Sequence, residues 1–492
     1  MFKKFFKEYR DNFRKLSLSQ KLFLGLIFSL PLERIPSFEI AGFTLKLSLI
    51  FGVALALSLI WEILNKRNDS FKPLTSSIIR GRGGKSFILI PAGILVYSLL
   101  SLFWVQNVSY WLKANVALGF SIAVFYASFL VFANLAEVKI RRERLLSLTL
   151  RTVMLSAGFI LAFGFFQWFG DLAGLGSNIT GIRNLYDADR LGLPRMHSTL
   201  LEPMWMGIYL LLPLSLLIAD KKAMILKSQV WRLAMIGSIL LAILLGLSRG
   251  AIAASALVSL AGLIHNYSEI KTGVLKNLSL SKFLKYGALS LSILLVIGLS
   301  ISIFSKKGDD SNYGYNKGFG VLTGHLKKLN IFDKPAEGKR TSLGDRTIAR
   351  GVGYDIATES KHNLLFGVGA GQFSSYTDTP EVYGATSWVT LLDFMIDYGV
   401  LMLAFFILFL VMILKFCKSN RNSAEADSKF GFIYLGLLLY FVGFWLQSFT
   451  TGSFTITHFW VVAGIVSGLS LSPSKVHSEK SKIPAFAGTT KF

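Results

Sequence analysis

Three arginines have the residue type and spacing that suit chemistry. Arg249 lies in GLSRG at 246–250, between two apolar runs, where a charge at the edge of a bilayer usually faces a cavity or a partner. Arg346 and Arg350 lie four residues apart in GDRTIARGVGYDI, so a helix places both on one face. Like charges at this spacing repel, and a doubly charged anion would reverse that repulsion because guanidinium groups bind phosphate oxygens in pairs. The alternatives are an arginine that extends to the lipid headgroups and a solvated helix face.

The helix that would carry this pair follows Asp345. Ile348, Val352 and Ile356 recur at every fourth residue and predict an apolar stripe. Asp345 suits the N-cap position, because its carboxylate can accept the unpaired N–H groups of the first turn. The pattern therefore predicts a helix that starts next to Asp345 and turns its arginines away from the stripe.

Candidates for acid–base chemistry are scattered along the chain. His197 and Glu202 occur together in HSTLLEP, and His362 precedes Asn363 in a polar stretch. A single histidine near the end of an apolar run is more often structural than catalytic. No set of His, Cys, Asp or Glu has the spacing of a metal site, so no metal is expected.

A glycine-rich segment, GVGAGQF at 367–373, alternates glycine with other residues. It follows no predicted strand and lacks the full dinucleotide-binding spacing, so we do not interpret it as a nucleotide site. Glycine lets the backbone come close to a partner surface, and the segment is predicted to form such a turn.

The composition indicates what kind of protein positions these residues. The 492-residue chain is 52% hydrophobic and only 16% charged, and its mean hydropathy is +0.54. Repeated apolar runs of about 20 residues predict a helical membrane protein and disfavour a soluble multidomain enzyme. The net charge of +24 comes from basic residues between the runs, as topology requires, so nucleic acid is not expected as a partner. A single cysteine excludes an internal disulfide framework.

The predicted fold class is all-α: a polytopic transmembrane helical bundle of about twelve spans. One large extracytoplasmic loop separates the ninth and tenth spans. The predicted spans are 19–33, 41–64, 86–105, 111–136, 146–169, 201–219, 232–247, 250–266, 285–304, 388–415, 430–448 and 452–471.

Lys and Arg concentrate in alternate connections, which predicts that both termini lie in the cytoplasm. The predicted units are a cytoplasmic amphipathic N-terminus at 1–18, spans one to nine at 19–304, the large loop at 305–387, spans ten to twelve at 388–471, and a cytoplasmic tail at 472–492.

The order of these pieces resembles the O-antigen ligase and O-antigen polymerase superfamily of bacterial membrane glycosyltransferases. An apolar run ends in SRGA, and an arginine helix in a late outer loop leads into LLFGVGAGQF. The next span opens with LLDFMIDYGVL, where Asp397 and Gly399 match the family's acid–x–Gly pattern. The earlier RLGLPRMHSTLLEPMWMGIYLLLPL resembles the family's loop-into-span signature.

The resemblance implies an enzyme of the bacterial inner membrane that uses no metal or other cofactor. Its donor would be a glycan linked to undecaprenyl pyrophosphate, and a hydroxyl of a lipid or glycan acceptor would attack the anomeric carbon at the outer face. By position, Arg249, Arg346 and Arg350 would bind the pyrophosphate, with Arg190 and Arg195 as further candidates.

The residue that would deprotonate the acceptor stays open. Ligases of the family place a His-Asn pair eleven residues before the acid–x–Gly glycine, and here that position is Trp388. His362, His197 and Glu202 are the candidates for this base.

Two alternative functions also stay open. A polymerase of the same superfamily shares the spans, the arginines and the donor. A transporter of lipid-linked sugars is compatible with twelve spans, but transporters of this size often have two similar halves, and no internal repeat is visible in the sequence.

Overall fold

The computed structural model describes residues 2–34, 37–40, 43–65, 85–133, 139–187, 194–269, 342–376, 386–424, 431–452 and 454–470. These residues are mostly helical. The elements in chain order are α1 (Phe2–Arg14), α2 (Leu18–Ser29), β1 (Ser37–Ile40), β2 (Phe43–Lys46), α3 (Leu47–Asn65), α4 (Ile90–Leu100), α5 (Val108–Ala133), α6 (Lys139–Leu172), α7 (Ser177–Thr180), α8 (Pro203–Ala219), α9 (Gln229–Leu245), α10 (Arg249–Glu269), α11 (Ser342–Thr358), α12 (Lys361–Phe366), α13 (Thr390–Ala424), α14 (Phe432–Gln447) and α15 (Thr457–Leu469).

Four helical segments are long and apolar enough to cross a membrane: Leu47–Asn65, Val108–Ala133, Ile140–Leu172 and Thr390–Asn420. Seven shorter apolar helices accompany them within the described part of the chain. Each predicted span other than 285–304 overlaps one of these helices, and 285–304 lies outside the described residues. The helical membrane class is therefore supported, whereas the number of crossings and the arrangement of the large loop remain predictions.

The expected start of the second span needs a correction. Residues 37–40 and 43–46 form an antiparallel hairpin in which Ser37 pairs with Lys46, so the helix begins at Leu47 and not at 41. The alternating sequence FTLK suits a strand as well as the start of an apolar helix, which hydropathy alone does not distinguish. The described part of the chain is thus α-helical with one short hairpin.

The N-terminal helix α1 is fixed to the bundle by polar contacts. The Tyr9 hydroxyl lies 2.9 Å from Thr152 Oγ1 in α6, and Arg151 Nη2 donates to Glu8 Oε1 over 3.0 Å. Lys227, in the turn before α9, also donates to the Glu8 carboxylate. These contacts hold the predicted amphipathic segment against α6.

Glycines bring several helices close together in the core. In α15, a Cβ at Gly468 would lie 2.7 Å from Phe132 Cβ, and one at Gly464 would overlap the Phe125 carbonyl of α5. Small residues at a helix contact let two backbones approach and increase the packing between apolar helices.

The glycine-rich turn packs against a kink in α13 through backbone atoms. Gly399 interrupts that helix with φ 74° and ψ 174°. Val368 N–H donates to Ile396 O over 2.8 Å, and Gly369 N–H donates to Asp397 O over 3.0 Å. A Cβ at Gly399 would overlap the Leu365 carbonyl. We call this contact between residues 367–369 and 396–399 the glycine clasp.

Replacing Gly399 by alanine should lower the thermal unfolding temperature in detergent. The new Cβ meets backbone that cannot move aside, and φ is positive, so we expect a cost of roughly 2–4 kcal/mol. Gly93→Ala in α4 is the matched control, because its added Cβ meets nothing within 4 Å. Equal unfolding temperatures for the two variants would contradict the clasp.

Candidate anion site

Helix α11 carries Arg346 and Arg350 beside its buried face. The helix begins at Ser342, three residues before Asp345, so the prediction that Asp345 is its N-cap is wrong. Ala349 and Ile356 are buried, but Ile348, a member of the predicted apolar stripe, is 44% exposed and lies outside the buried face. The buried face is rotated toward Ala349, which leaves the two arginines half-buried at its edge.

Gly353 lets α11 approach the start of α13. A Cβ at Gly353 would lie 2.9 Å from Ile396 Cδ1 and 3.2 Å from Ser387 Cβ. A second buried apolar cluster joins α11, the glycine-rich turn and α13. The same surface therefore fixes the helix and the arginines on it.

Arg346 lies close to several of the charged residues predicted from the sequence. Burial lowers the pKa of its guanidinium, and the charges that act on it next are those of Glu202, Arg195, Arg350 and Arg249. Its Cζ lies 4.6 Å from the centroid of the Trp388 ring. The structure thus gathers four of the five predicted arginines with one predicted carboxylate, whereas Arg190 lies outside the described residues.

Arg350 binds the end of a neighbouring helix. Its Nη2 donates to the Phe449 carbonyl, just after α14, over 3.3 Å. Its Nε is buried and has no hydrogen-bond partner among the residues that the structure describes. Because a buried donor without a partner is costly, this N–H suits an acceptor oxygen of a bound ligand or water.

Arg195 holds the turn that leads to Arg249. Its guanidinium donates to Gly246 O over 3.3 Å and to Leu247 O over 3.4 Å, at the carboxyl end of α9. Its Cζ also lies 5.4 Å from the Tyr186 ring centroid. Arg195 therefore adds positive charge and also fixes the turn from which α10 begins at Arg249.

Glu202 immediately precedes α8 and lies among these cations. Burial raises the pKa of its carboxyl, and Arg346, Arg183 and Arg195, in that order, lower it. In the described part of the chain its carboxylate forms no hydrogen bond or ion pair. Glu202 is thus a half-buried carboxylate that is near several guanidinium groups and bound to none of them.

Residues 31–34 build the other side of the turn that carries Glu202. Thr199 Oγ1 donates to Pro31 O over 2.7 Å, Arg34 N–H to Thr199 O over 3.1 Å, and Leu201 N–H to Glu33 Oε2 over 3.4 Å. Burial raises the pKa of Glu33, with Lys46 opposing this effect. Glu33 and Arg34 are not among the site residues predicted from the sequence, although two charged residues directly after an apolar run are a recognisable signal.

Arg183 and Tyr186 are further residues that the sequence analysis did not identify. Arg183 Nη1 donates to the Leu201 carbonyl over 2.9 Å, and its Cζ lies 5.7 Å from the Tyr186 ring centroid. Tyr186 thus lies against two arginines, because Arg195 contacts the same ring. Burial raises the pKa of the Tyr186 hydroxyl, so this hydroxyl stays uncharged beside the two arginines.

His197 has a structural position. It is completely buried; its Nε2 accepts the Arg183 N–H over 3.2 Å, and its Nδ1 lies 3.0 Å from the Leu200 carbonyl. Burial, assisted by the nearby charge of Arg34, lowers the pKa of this imidazole to about 4. Both ring nitrogens are occupied, so His197 holds the turn before Glu202 and offers no lone pair to an acceptor hydroxyl.

His362 lies in a different environment from the arginines. Its exposed ring is 5.8 Å from the Trp104 ring and 5.4 Å from the Phe366 ring, measured between centroids. Its neighbours are therefore aromatic. Of the three predicted bases, only Glu202 lies within the arginine group.

Asp397, matched to the acid–x–Gly pattern, lines a cavity of about 180 Å³ together with Asp393, and no arginine is among the described residues that line it. Comparison of the chain with known protein families and with characterised proteins found no match. The function is therefore inferred from the geometry of the site.

Replacing Gly353 by alanine should loosen α11. The added Cβ presses on Ser387 and Ile396, and we expect a cost of about 1–3 kcal/mol. Gly351→Ala on the same helix is the matched control, because its Cβ meets nothing within 4 Å. Hydrogen exchange of peptides from 342–358 should accelerate in the Gly353 variant only. Unchanged exchange in both variants would contradict the packing described above.

Proposed function

We propose that the chain is a metal-independent membrane glycosyltransferase of the O-antigen ligase type. It would move a glycan from an undecaprenyl-pyrophosphate carrier to a lipid or glycan acceptor at the outer face of the bacterial inner membrane. The observation that carries this proposal is the group of charges close to Arg346, which comprises Glu202, Arg195, Arg350 and Arg249.

The charge balance of this group supports an anionic ligand. Arg195, Arg249 and Arg350 each act unfavourably on the charge of Arg346, and among the described residues Glu202 opposes them. Repulsion between like charges is stronger at a partly buried site than in water. A pyrophosphate carries at least two negative charges, so its binding would convert this repulsion into attraction.

The arginines would act mainly on the leaving group. When the bond between the anomeric carbon and the pyrophosphate oxygen breaks, negative charge develops on that oxygen. Positioned donors at such a point stabilise the transition state more than the ground state. We assign this role to Arg346 and Arg350, with Arg249 beside them and Arg195 as the residue that fixes the turn before Arg249.

Glu202 is the base that the geometry favours. It would accept the proton of the acceptor hydroxyl while the hydroxyl oxygen bonds to the anomeric carbon, and the pyrophosphate would remain on the lipid carrier. A carboxyl whose pKa is raised by burial is a stronger base than an exposed glutamate. His197 has both nitrogens occupied, and His362 lies among aromatic rings.

A polymerase of the same superfamily is the second candidate. The observation that favours it is the tryptophan at position 388, where the ligases place His-Asn. The donor site would be the same, and the acceptor would be a second lipid-linked glycan. A transporter of lipid-linked sugars is the third possibility and predicts movement of the donor without a covalent product.

The membrane assignment rests on the apolar helices. Inner-membrane location, about twelve spans and cytoplasmic termini follow from the distribution of basic residues and belong to this proposal.

Replacing Arg346 by alanine should lower the turnover number about a hundredfold or more, as loss of one preorganised charge contact typically does. Full-length protein in proteoliposomes would receive a lipid-pyrophosphate-linked glycan and either a lipid-core or a second lipid-linked acceptor. The matched control is Arg10→Ala, because Arg10 is exposed on α1 and pairs only with Asp11 within the described residues. Product formation by the Arg346 variant at the wild-type rate would overturn the site, and counterflow without product would favour the transporter.

Replacing Glu202 by glutamine should reduce turnover roughly 10²–10⁴-fold, because the base is lost and the shape is kept. In the wild type, turnover should fall as pH decreases through the pKa of Glu202, because the protonated carboxyl cannot accept a proton. Burial raises that pKa, so the fall should begin at higher pH than for an exposed glutamate. Glu202→Asp should retain the acidic limb at a lower rate. A glutamine variant with the wild-type pH profile would exclude Glu202 as the base.

A further inference from the structure

We infer that Trp388 positions Arg346 for pyrophosphate, and that a turn held by Asp393 positions Trp388. This inference rests on the proposed function, because it concerns the same anion site. The observation behind it is the stacking of the Arg346 guanidinium on the Trp388 ring, with 4.6 Å between Cζ and the ring centroid.

Stacking is a suitable way to hold an arginine that must bind a ligand. A guanidinium has its N–H donors in its plane, and a carboxylate partner would occupy them. An aromatic ring contacts only the face of the group and leaves the edge available. In the described part of the chain, no hydrogen bond or ion pair occupies the Arg346 guanidinium. The ring therefore orients the plane while the N–H groups stay available to phosphate oxygens.

The backbone of Trp388 is held in an unfavourable conformation. Its φ is 63°, in the left-handed region that bulky side chains rarely adopt. Such a conformation persists only when surrounding contacts impose it, and it is common at functional sites. The position of the ring is thus maintained at an energetic cost.

The contacts that impose this conformation start at Asp393 in the first turn of α13. Its carboxylate accepts Ser387 N–H over 2.6 Å and the Thr386 hydroxyl over 2.8 Å. Thr386 Oγ1 in turn accepts Trp388 N–H over 2.9 Å. The turn at 386–388 is thereby tied to α13 through Asp393.

Helix α11 is fixed to the same turn, because Gly353 packs against Ser387. Arg346 and Trp388 therefore share one support, the contact of α11 with the turn at 386–388. We accordingly describe Trp388 as a positioning residue that acts through Arg346.

The test measures binding of inorganic pyrophosphate to purified full-length protein in nanodiscs by calorimetry, together with thermal unfolding. Trp388→Leu should weaken binding roughly five- to tenfold, the size of a partly desolvated cation–π contact. Trp388→Tyr keeps an aromatic face and should bind within about twofold of the wild type. Thr386→Val removes the acceptor of Trp388 N–H and should weaken binding in the same direction.

Trp388→Gly separates the ring from the backbone strain. Glycine accepts positive φ but lacks the packing of the ring on the buried apolar cluster, so this variant should bind pyrophosphate as poorly as Trp388→Leu whichever of the two unfolds at the higher temperature. A purely structural role for Trp388 predicts that binding changes only when stability does.

Arg346→Ala separates a failure of the positioning role of Trp388 from a failure of the proposed anion site. If this variant loses binding while Trp388→Leu and Trp388→Gly bind as the wild type does, the positioning role is overturned and the proposed anion site stands. If Arg346→Ala binds pyrophosphate as well as the wild type, both are overturned. Loss of binding in all three variants, with recovery in Trp388→Tyr, supports the positioning role.

Discussion

Three arginine side chains near the candidate site donate to backbone carbonyl groups, and the site depends on that choice of partner. Arg195 donates to carbonyls at the carboxyl end of α9, Arg350 to one after α14, and Arg183 to the carbonyl of Leu201. The end of a helix carries partial negative charge and suits a guanidinium. A carbonyl fixes the side chain without cancelling its charge, whereas a carboxylate would neutralise it. These carbonyl contacts leave the positive charge of the guanidinium groups in place, which suits an anionic ligand.

The same logic explains why Glu202 stands out. It is the one acidic group among the charges that act most strongly on Arg346, and its carboxylate accepts no hydrogen bond within the described residues. The surrounding turn is fixed by other residues, including Glu33 and His197. Glu202 is thus left with its carboxylate directed at the cations and not consumed by the fold. Other residues supply the hydrogen bonds that fix the turn. The Glu202 carboxylate can therefore accept a proton without the loss of a structural contact, as a general base must.

Sequence reasoning located the apolar helices because their signal is local and repeated. The prediction was wrong at the β-hairpin, because FTLK fits a strand and a helix equally. It was also wrong at Ile348, because the four-residue period placed this residue on the buried face of α11, whereas the tertiary contacts bury the face that contains Ala349. Sequence reasoning selected Arg195, Arg249, Arg346 and Arg350 one by one, but their proximity to Glu202 brings together segments that are far apart in the chain. Glu33, Arg183 and Trp388 were missed for the same reason: their importance comes from neighbours that are distant in sequence.

The glycine clasp joins two motifs that look independent in the sequence, and it does so with backbone atoms alone. A contact of this kind carries almost no side-chain information. The carbonyls that hold Arg195 and Arg350 share this property, because any residue supplies a carbonyl at those positions. A chain could replace most of the residues that build this site and retain its shape, provided that a few glycines and arginines persist. Alignment of such chains would register a sparse set of identities, and recognition of the site would depend on comparing coordinates.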